Sequence, residues 1–372
     1  MTIVPQGLAA PMAAALDAAA QAIGLSDPNP RVGCVLIGTN GQTLGLGHTQ
    51  AVGGPHAEIM ALRDAQHKGH STLGATAYVT LEPCSHHGKT GPCCDALVAA
   101  GISRVVASTL DPNPQVSGQG FARLRAAGIA VEVGMGADES RALNIGFFSR
   151  MIRKTPWVRM KIAASLDGKT ALNNGVSQWI TSDEARTDGH AWRARSNAIL
   201  TGIGTVLKDQ PQLDVRLVPT TLQPAVVIAD SQLRTPTDAP SLIAGRVVYI
   251  YASARKDAQK LALESRGATV IQLPGTNDKV DLSAMLRDLA LRECNELHVE
   301  AGQGLNGALL GENLVDEVLA YIAPKLLGHG MDMAGLGPFT ALSQAIPLEF
   351  MSVAPIGPDL RILARVHGHH PI

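Results

Sequence analysis

Four side chains in the first third of the chain could share a metal ion and a proton. His56 stands in "PHAE" with Glu58 two residues on, Cys84 closes "LEPC", and Cys93 follows after eight intervening residues in "SHHGKTGPCC". One imidazole nitrogen and two thiolates form an N/S set that suits tetrahedral zinc with its fourth position open. The open position is the catalytic arrangement, because water bound there becomes a source of hydroxide near neutrality. Glu58 needs no bond to the metal; a carboxyl beside the water can carry its proton to a leaving group. Taken singly, the fragments are ordinary. His-x-Glu is a common helix start, and such a cysteine pair is as readily two buried thiols as two ligands. Their convergence on strand-to-helix turns favours a site. His86, His87 and Cys94 compete as ligands. His86 and His87, with Lys89, lie in the intervening loop and could instead meet substrate. Cys94 follows Cys93 in a helix and points ~100° away, so it reads as core, as do Cys34 and Cys294 in their apolar segments.

The elements that must hold these groups alternate strand and helix. The patterns predict a helix over 9–23, strands at 31–37 and 43–49 around an Asn-Gly turn, a helix over 56–69 and a strand at 75–81. A helix over 94–102, a strand at 104–109, a helix over 120–128 and a strand at 129–134 complete this block. Residues 140–156 join it to a second alternation. That one has strands at 157–165, 197–201, 224–229, 246–251, 268–272, 296–300 and 317–323, and helices at 183–195, 255–266, 281–292 and 306–313. Residues 348–354 and 359–366 read as a closing antiparallel pair. The whole is an α/β chain of layered sheets, with domains expected at 1–150 and 151–372.

Composition limits the partners. The 372 residues are 45% hydrophobic and 17% charged, enough for two packed cores. With 31 basic and 32 acidic side chains, the chain lacks the positive excess of a nucleic-acid binder. No Lys or Arg precedes the apolar part of the N-terminus, and no apolar run reaches the length of a membrane span. Five cysteines are odd in number and sparse, which favours reduced thiols and metal ligation over disulfides. The expectation is a cytoplasmic enzyme of a small substrate, bound to neither nucleic acid nor membrane.

The second half carries "GQGLNG" (302–307), a G-x-G-x-x-G after a strand and before a helix, the context for phosphate on backbone N–H groups. The ribose-binding acid of a standard dinucleotide unit is not evident ~20 residues on. Other clusters, "KIAASLDGKTA", "SQWITSDEAR", "TGIGTVLKDQPQLDVR" and "ADSQLR", place Gly, Ser, Thr or Asp just past apolar strands, where open α/β sheets gather ligands. "TSDE" is equally a plain helix cap. Arg193 and Arg216 could grip a phosphate in bidentate fashion.

Taken together, "DPNPRVGCVL", "PHAE", "TLEPCSHHGKTGPCCDAL" and "DPNPQVSGQG" resemble the riboflavin-biosynthesis bifunctional deaminase/reductase family. The generic zinc-deaminase signature has two residues between its cysteines; the longer gap here is the one that family shows. One departure is Asp27, where many relatives have His. The resemblance implies a cytidine-deaminase-like three-layer domain followed, over 157–366, by a dihydrofolate-reductase-like domain. It implies His56, Cys84 and Cys93 as zinc ligands and Glu58 as the proton shuttle, with Asn29 and the "SHHGKTGP" loop lining the pyrimidine and phosphate end.

For the second half the resemblance implies NADPH as hydride donor, contacted by Ala163, Trp179, Thr205, Asp209, Ser231 and the glycine loop Gly302, Gln303, Gly304, Leu305, Asn306, Gly307 and Ala308. It implies Ser177, Arg193, Leu213, Arg216 and Glu300 as contacts of a phosphorylated pyrimidine, and a homo-oligomer. Two other readings keep the deaminase but change the rest. One is a nucleoside or nucleobase deaminase with a non-catalytic C-terminal module; the other is a single-stranded nucleic-acid deaminase, which 3% aromatic content and the lack of a basic stripe disfavour.

Overall fold

The computed structural model describes residues 8–85, 91–114 and 116–368. The chain divides into two compact units between Arg153 and Lys154. The first contains α1 (Ala10–Ala20), β1 (Gly33–Ile37), β2 (Thr43–His48), α2 (Ala57–His67), β3 (Thr76–Val79), α3 (Cys93–Ala99), β4 (Arg104–Ala107), α4 (Gln119–Ala126), β5 (Ala130–Val133), α5 (Ala137–Leu143) and α6 (Ile145–Arg153). Its sheet runs β2-β1-β3-β4-β5, antiparallel around β1 and parallel from β3 onward.

Period-two alternation decides which helix lies on which face. Cys34, Leu36, Ala77, Val79, Val105 and Ala107 face α2, α3 and α4, while Val35, Tyr78 and Val106 face α1. The result is a three-layer α/β/α sandwich. The apolar side chains that helix α2 buries are all alanines, Ala57, Ala61 and Ala65, so it lies close to β2 and fixes where its first turn, with the buried Glu58, must sit. The segment read as a joint between blocks forms α5 and α6, and Phe147 and Phe148 of α6 pack into the first core.

The second unit contains β6 (Trp157–Ser165), β7 (Lys169–Leu172), α7 (Asp183–Arg195), β8 (Ala198–Gly202), α8 (Ile203–Asp209), β9 (Ala225–Ala229), β10 (Val248–Ala252), α9 (Asp257–Glu264), β11 (Ala268–Gln272), α10 (Leu282–Leu291), β12 (Glu296–Val299), α11 (Gln303–Gly311), β13 (Glu317–Ala323), β14 (Gly330–Asp332), β15 (Leu348–Ile356) and β16 (Asp359–Val366). Nine strands order as β11-β10-β9-β8-β12-β6-β13-β16-β15. Those from β11 to β13 are parallel, and the β15–β16 hairpin closes one edge antiparallel, as the sequence pattern predicts. β7 and β14 pair separately.

One face of the large sheet packs α10 and α11 through Val158, Met160, Leu200, Leu297 and Val299. The opposite face is apolar beneath β8 to β11, where Ile199, Val226, Ile228 and Ile250 cluster with Val206 of α8 and Leu263 of α9. Toward β12, β6 and β13 it turns polar: Arg159, Glu296, His298 and Glu317 are all buried there. Arg159 bridges Glu296 at 2.8 Å and Glu317 at 2.5 Å, and its guanidinium lies 4.5 Å from the Trp192 ring centroid on α7. Among the described residues no helix is long and apolar enough to cross a membrane.

Candidate active sites

In the first unit three turns deliver three ligand atoms. His56 is the residue before α2, in extended backbone. Cys84 ends the turn after β3, and Cys93 opens α3. His56 Nδ1 lies 3.6 Å from Cys84 Sγ and 3.3 Å from Cys93 Sγ, and all three ligand atoms fall within 4.8 Å of one another. Bonds of ~2.0–2.3 Å to a tetrahedral ion put neighbouring N and S ligands ~3.5 Å apart, so these residues fit zinc and leave its fourth position to solvent or substrate. The Cys93 N–H donates to Cys84 Sγ at 3.3 Å, an N–H from a helix start turned toward a sulfur. The bonds from Cys93 hold the Cys84 thiol down at about 4, and Cys93 in turn is pushed up by sharing its proton with Cys84.

Glu58 is buried in the first turn of α2 beside this pair. Burial, reinforced by the Cys84 charge, pushes its carboxyl up to about 7, where it can both take and give a proton. Cys94 points away: its thiol donates to Pro83 O at 3.2 Å, and burial raises it to about 12. Cys34 and Cys294 are buried, and all five cysteines are free. Asn29 lies in the turn between α1 and β1, where its N–H donates to Ser26 O. His86, His87 and Lys89 lie outside the described residues.

Sequence reasoning missed Glu82. This buried carboxylate accepts N–H groups from Asp111, Gly118, Gly120 and Phe121, tying the 111–121 segment to the turn that carries Cys84. The signal was present, a charged residue beside a ligand at a strand end, but nothing in one sequence says which loop it will hold.

In the second unit the candidate residues divide into two groups. Gly302 caps α11 with no side chain bonded to its first turn, and a Cβ on Gly302 would lie 3.9 Å from Thr205 Oγ1 on α8. The C-terminal ends of the adjacent strands β8 and β12 thereby bring Thr205 and the glycine loop together. Gly302, Gln303 and Gly304 are exposed, and a Cβ on Gly304 would meet nothing. This open backbone at a helix start is what a dinucleotide phosphate requires. Leu305 packs toward Gly202. Asn306 and Gly307 turn inward, Asn306 Nδ2 donating to Met333 O at 2.9 Å, and Ala308 is exposed. Ala163 lies on β6, half-buried. Asp209 is exposed at the far end of α8 from Gly202. Ser231 follows β9 and its Oγ accepts the Val280 N–H. Trp179 is 60% exposed, with the Arg186 guanidinium 4.3 Å from its ring centroid.

The second group gathers beneath α7. Arg193 Nη2 donates to Glu300 Oε2 at 2.8 Å, its Nε reaches Oε1, and its Nη1 donates to Asp214 O at 2.8 Å. The guanidinium offered to a phosphate by sequence therefore spends its fork on Glu300. Burial works against the Glu300 charge, yet Arg193 and Lys161 outweigh it and hold the carboxyl well below its usual range. Arg216 is half-exposed and pairs with Asp214. Its backbone N–H donates to His190 Nδ1 at 3.1 Å. The Leu213 side chain is buried in the apolar core, its backbone is left-handed (φ 54°), and its carbonyl oxygen accepts from Arg246 Nη2. Ser177 is half-buried in the segment between β7 and α7. His190, Asp214 and His298 belong to this cluster and were not singled out by sequence.

Known proteins resemble both units. Residues 7–109 match the cytidine and deoxycytidylate deaminase zinc-binding region, and residues 156–362 match the RibD C-terminal domain. The riboflavin biosynthesis protein RibD of Escherichia coli K12 is 43% identical over 362 residues, covering 94% of this chain and 96% of that protein. Its counterpart in Aquifex aeolicus is 40% identical, with coverage of 94% and 96%. Acinetobacter baumannii RibD superposes with a TM-score of 0.86 at 38% identity, over 96% of this chain and 98% of that one. A diaminohydroxyphosphoribosylaminopyrimidine deaminase/5-amino-6-(5-phosphoribosylamino)uracil reductase from Thermotoga maritima superposes at 0.85 with 32% identity, over 96% and 97%. With identity at this level along nearly the whole length, and both units matched, the chain belongs to the riboflavin biosynthesis protein RibD family.

Proposed function

We propose that this chain catalyses both reactions named for the Thermotoga relative. The first unit deaminates a diaminopyrimidinone that carries a phosphoribosylamino group. The second reduces the ribosyl group of the resulting 5-amino-6-(5-phosphoribosylamino)uracil to a ribityl chain. We assign the two activities to residues 1–150 and 151–372. The observation that carries this reading is the closure of His56, Cys84 and Cys93 to tetrahedral-edge distances with Glu58 buried beside them.

A zinc ion held there supplies the Lewis acidity that makes water nucleophilic near neutral pH. Glu58 takes the proton of the attacking water and hands it to the departing amine. Water adds, ammonia leaves, and the ring becomes a uracil. In the second unit NADPH supplies a hydride, which is received at C1′ of the ring-opened imine. Thr205 and Gly302, Gln303, Gly304, Leu305, Asn306, Gly307 and Ala308 take the phosphate side of NADPH, with Ala163, Trp179, Asp209 and Ser231 along the rest of it. Ser177, Arg193, Leu213, Arg216 and Glu300 hold the phosphorylated pyrimidine. The imine nitrogen takes up one proton to complete the reduction, and burial loosens the proton of Lys161 against the pull of Glu300.

The chain works as a homo-oligomer in the cytoplasm. Support for the first point is β15, an edge strand whose Leu348, Phe350, Met351 and Val353 are exposed; five free thiols support the second. Sedimentation of the purified chain tests the assembly. Zinc analysis coupled to a two-step assay tests the function: ammonia should be released first, and NADPH should be oxidised only with the deaminated product. Ammonia release with no NADPH binding would leave a deaminase with a non-catalytic second half.

A further inference from the structure

We infer that His298 is a positioning residue of the reductase pocket, holding the Glu300 carboxylate from beneath while Arg193 holds it from α7. The inference rests on the reading of that pocket as the substrate site. β12 sits inside a parallel sheet, between β8 and β6, where an all-apolar strand is the rule. Its sequence instead alternates. Leu297 and Val299 enter the apolar core, while Glu296, His298 and Glu300 share the opposite side under α7.

Glu296 has a structural account, because it neutralises Arg159 and Arg195. His298 has none of that kind. It is 0% exposed, yet its Nδ1 has no hydrogen-bond partner, a costly arrangement for a side chain that a valine could replace. Its Nε2 lies 3.3 Å from Glu300 Oε1, close enough for a hydrogen bond although not aligned for one in this arrangement. Such contacts in the free enzyme tighten when the substrate arrives. The groups around it argue for a neutral donor. Burial lowers its proton affinity, and Arg159 and Arg193 oppose a third positive charge, although Glu300 pulls the other way. A neutral imidazole with its hydrogen on Nε2 presents that hydrogen to Glu300 and leaves Nδ1 without a proton to satisfy.

Glu300 is thus gripped on two sides. Arg193 fixes the plane of the carboxylate by its paired bonds. His298 fixes how deep Oε1 sits. Substrate binding that draws on the Arg193 fork would need this second anchor to keep Glu300 in place.

The test is steady-state kinetics of the holoenzyme with NADPH and the deaminated pyrimidine phosphate. His298→Leu should raise the reductase KM for the pyrimidine ~10-fold or more, the worth of a hydrogen bond to a charged group. NADPH affinity and deaminase kcat/KM should not change. His298→Gln, whose amide reaches the place of Nε2, should recover KM to within about threefold. An unchanged KM in His298→Leu overturns the role. If that variant also loses NADPH binding, His298→Asn decides, because its amide is too short to reach Glu300: a raised KM with NADPH binding intact supports the role, and any other result removes it. Glu300→Gln in the same assay reports on the pocket itself. No effect there would remove the underlying reading, whereas an effect there beside an unchanged His298→Leu would remove the role of His298 alone.

Discussion

Glu82 Oε1 accepts the backbone N–H of Gly120 at 2.9 Å, and a Cβ on Gly120 would strike Pro83 O at 2.0 Å. The two residues are 38 positions apart, yet only a glycine lets the second segment approach close enough for the first to hold it. Since Pro83 separates Glu82 from Cys84, this clamp fixes the turn that aims one sulfur. Gly120→Ala should therefore destabilise the first unit by about 1–3 kcal/mol and weaken metal retention. Thermal unfolding and the zinc-to-protein ratio after dialysis measure both. Wild-type values of the two would show that the clamp does not govern the metal site.

Glu58→Gln separates metal holding from proton transfer. The amide keeps the size of the side chain and can no longer take up or release a proton near neutral pH. Deamination should fall by roughly 10²–10⁴-fold while zinc content and NADPH oxidation persist. Loss of zinc instead would make Glu58 a ligand, and the proton would need another carrier.

Much of this was legible in the sequence, for identifiable reasons. Strands such as "RVVA" and helices such as α7 carry period and caps in their own residues, and the metal ligands flank strand and helix ends where any α/β sheet exposes them. The helices α5, α6 and α8 are not legible in the sequence, because "SRALNIGFFSRMIRKTP" reads as a joint and "GIGTVLKD" as a glycine-rich loop. α6 is decided by Phe147 and Phe148 entering a distant core, which is tertiary information. The polar underside of α7 was hidden for the same reason. "VRMK" and "ELHVE" alternate like half-solvated strands, and only the sheet order shows both faces covered.

Arg159 makes that underside testable. It is buried with Glu296 and Glu317 on either side, and those two carboxylates more than offset the cost of burying its charge. Arg159→Met leaves two buried carboxylates without their common partner, although Arg195 still reaches Glu296. The variant should lose about 3–5 kcal/mol of stability, read from denaturant unfolding of the second unit with NADPH absent. A loss below about 1 kcal/mol would mean that Glu317 finds water or a proton cheaply, and that the site is less sealed than its exposure implies.

His190 predicts how stability responds to acid. Burial, with Arg193 and Arg216 adding repulsion, lowers it to about 4, and its Nδ1 accepts the Arg216 N–H, a bond that only an unprotonated nitrogen can take. An unfolded histidine titrates near ~6.5. Between those values the unfolded chain binds a proton that the folded chain does not, so stability falls as pH drops through the window and is fully present above ~6.5. From pH 7 to pH 5 the wild type should lose about 2 kcal/mol more than His190→Asn, whose Oδ1 can accept the same N–H without titrating. Equal losses in the two proteins, measured by denaturant unfolding at both pH values, would mean that the imidazole is protonated in place and that Arg216 is held by something other than His190.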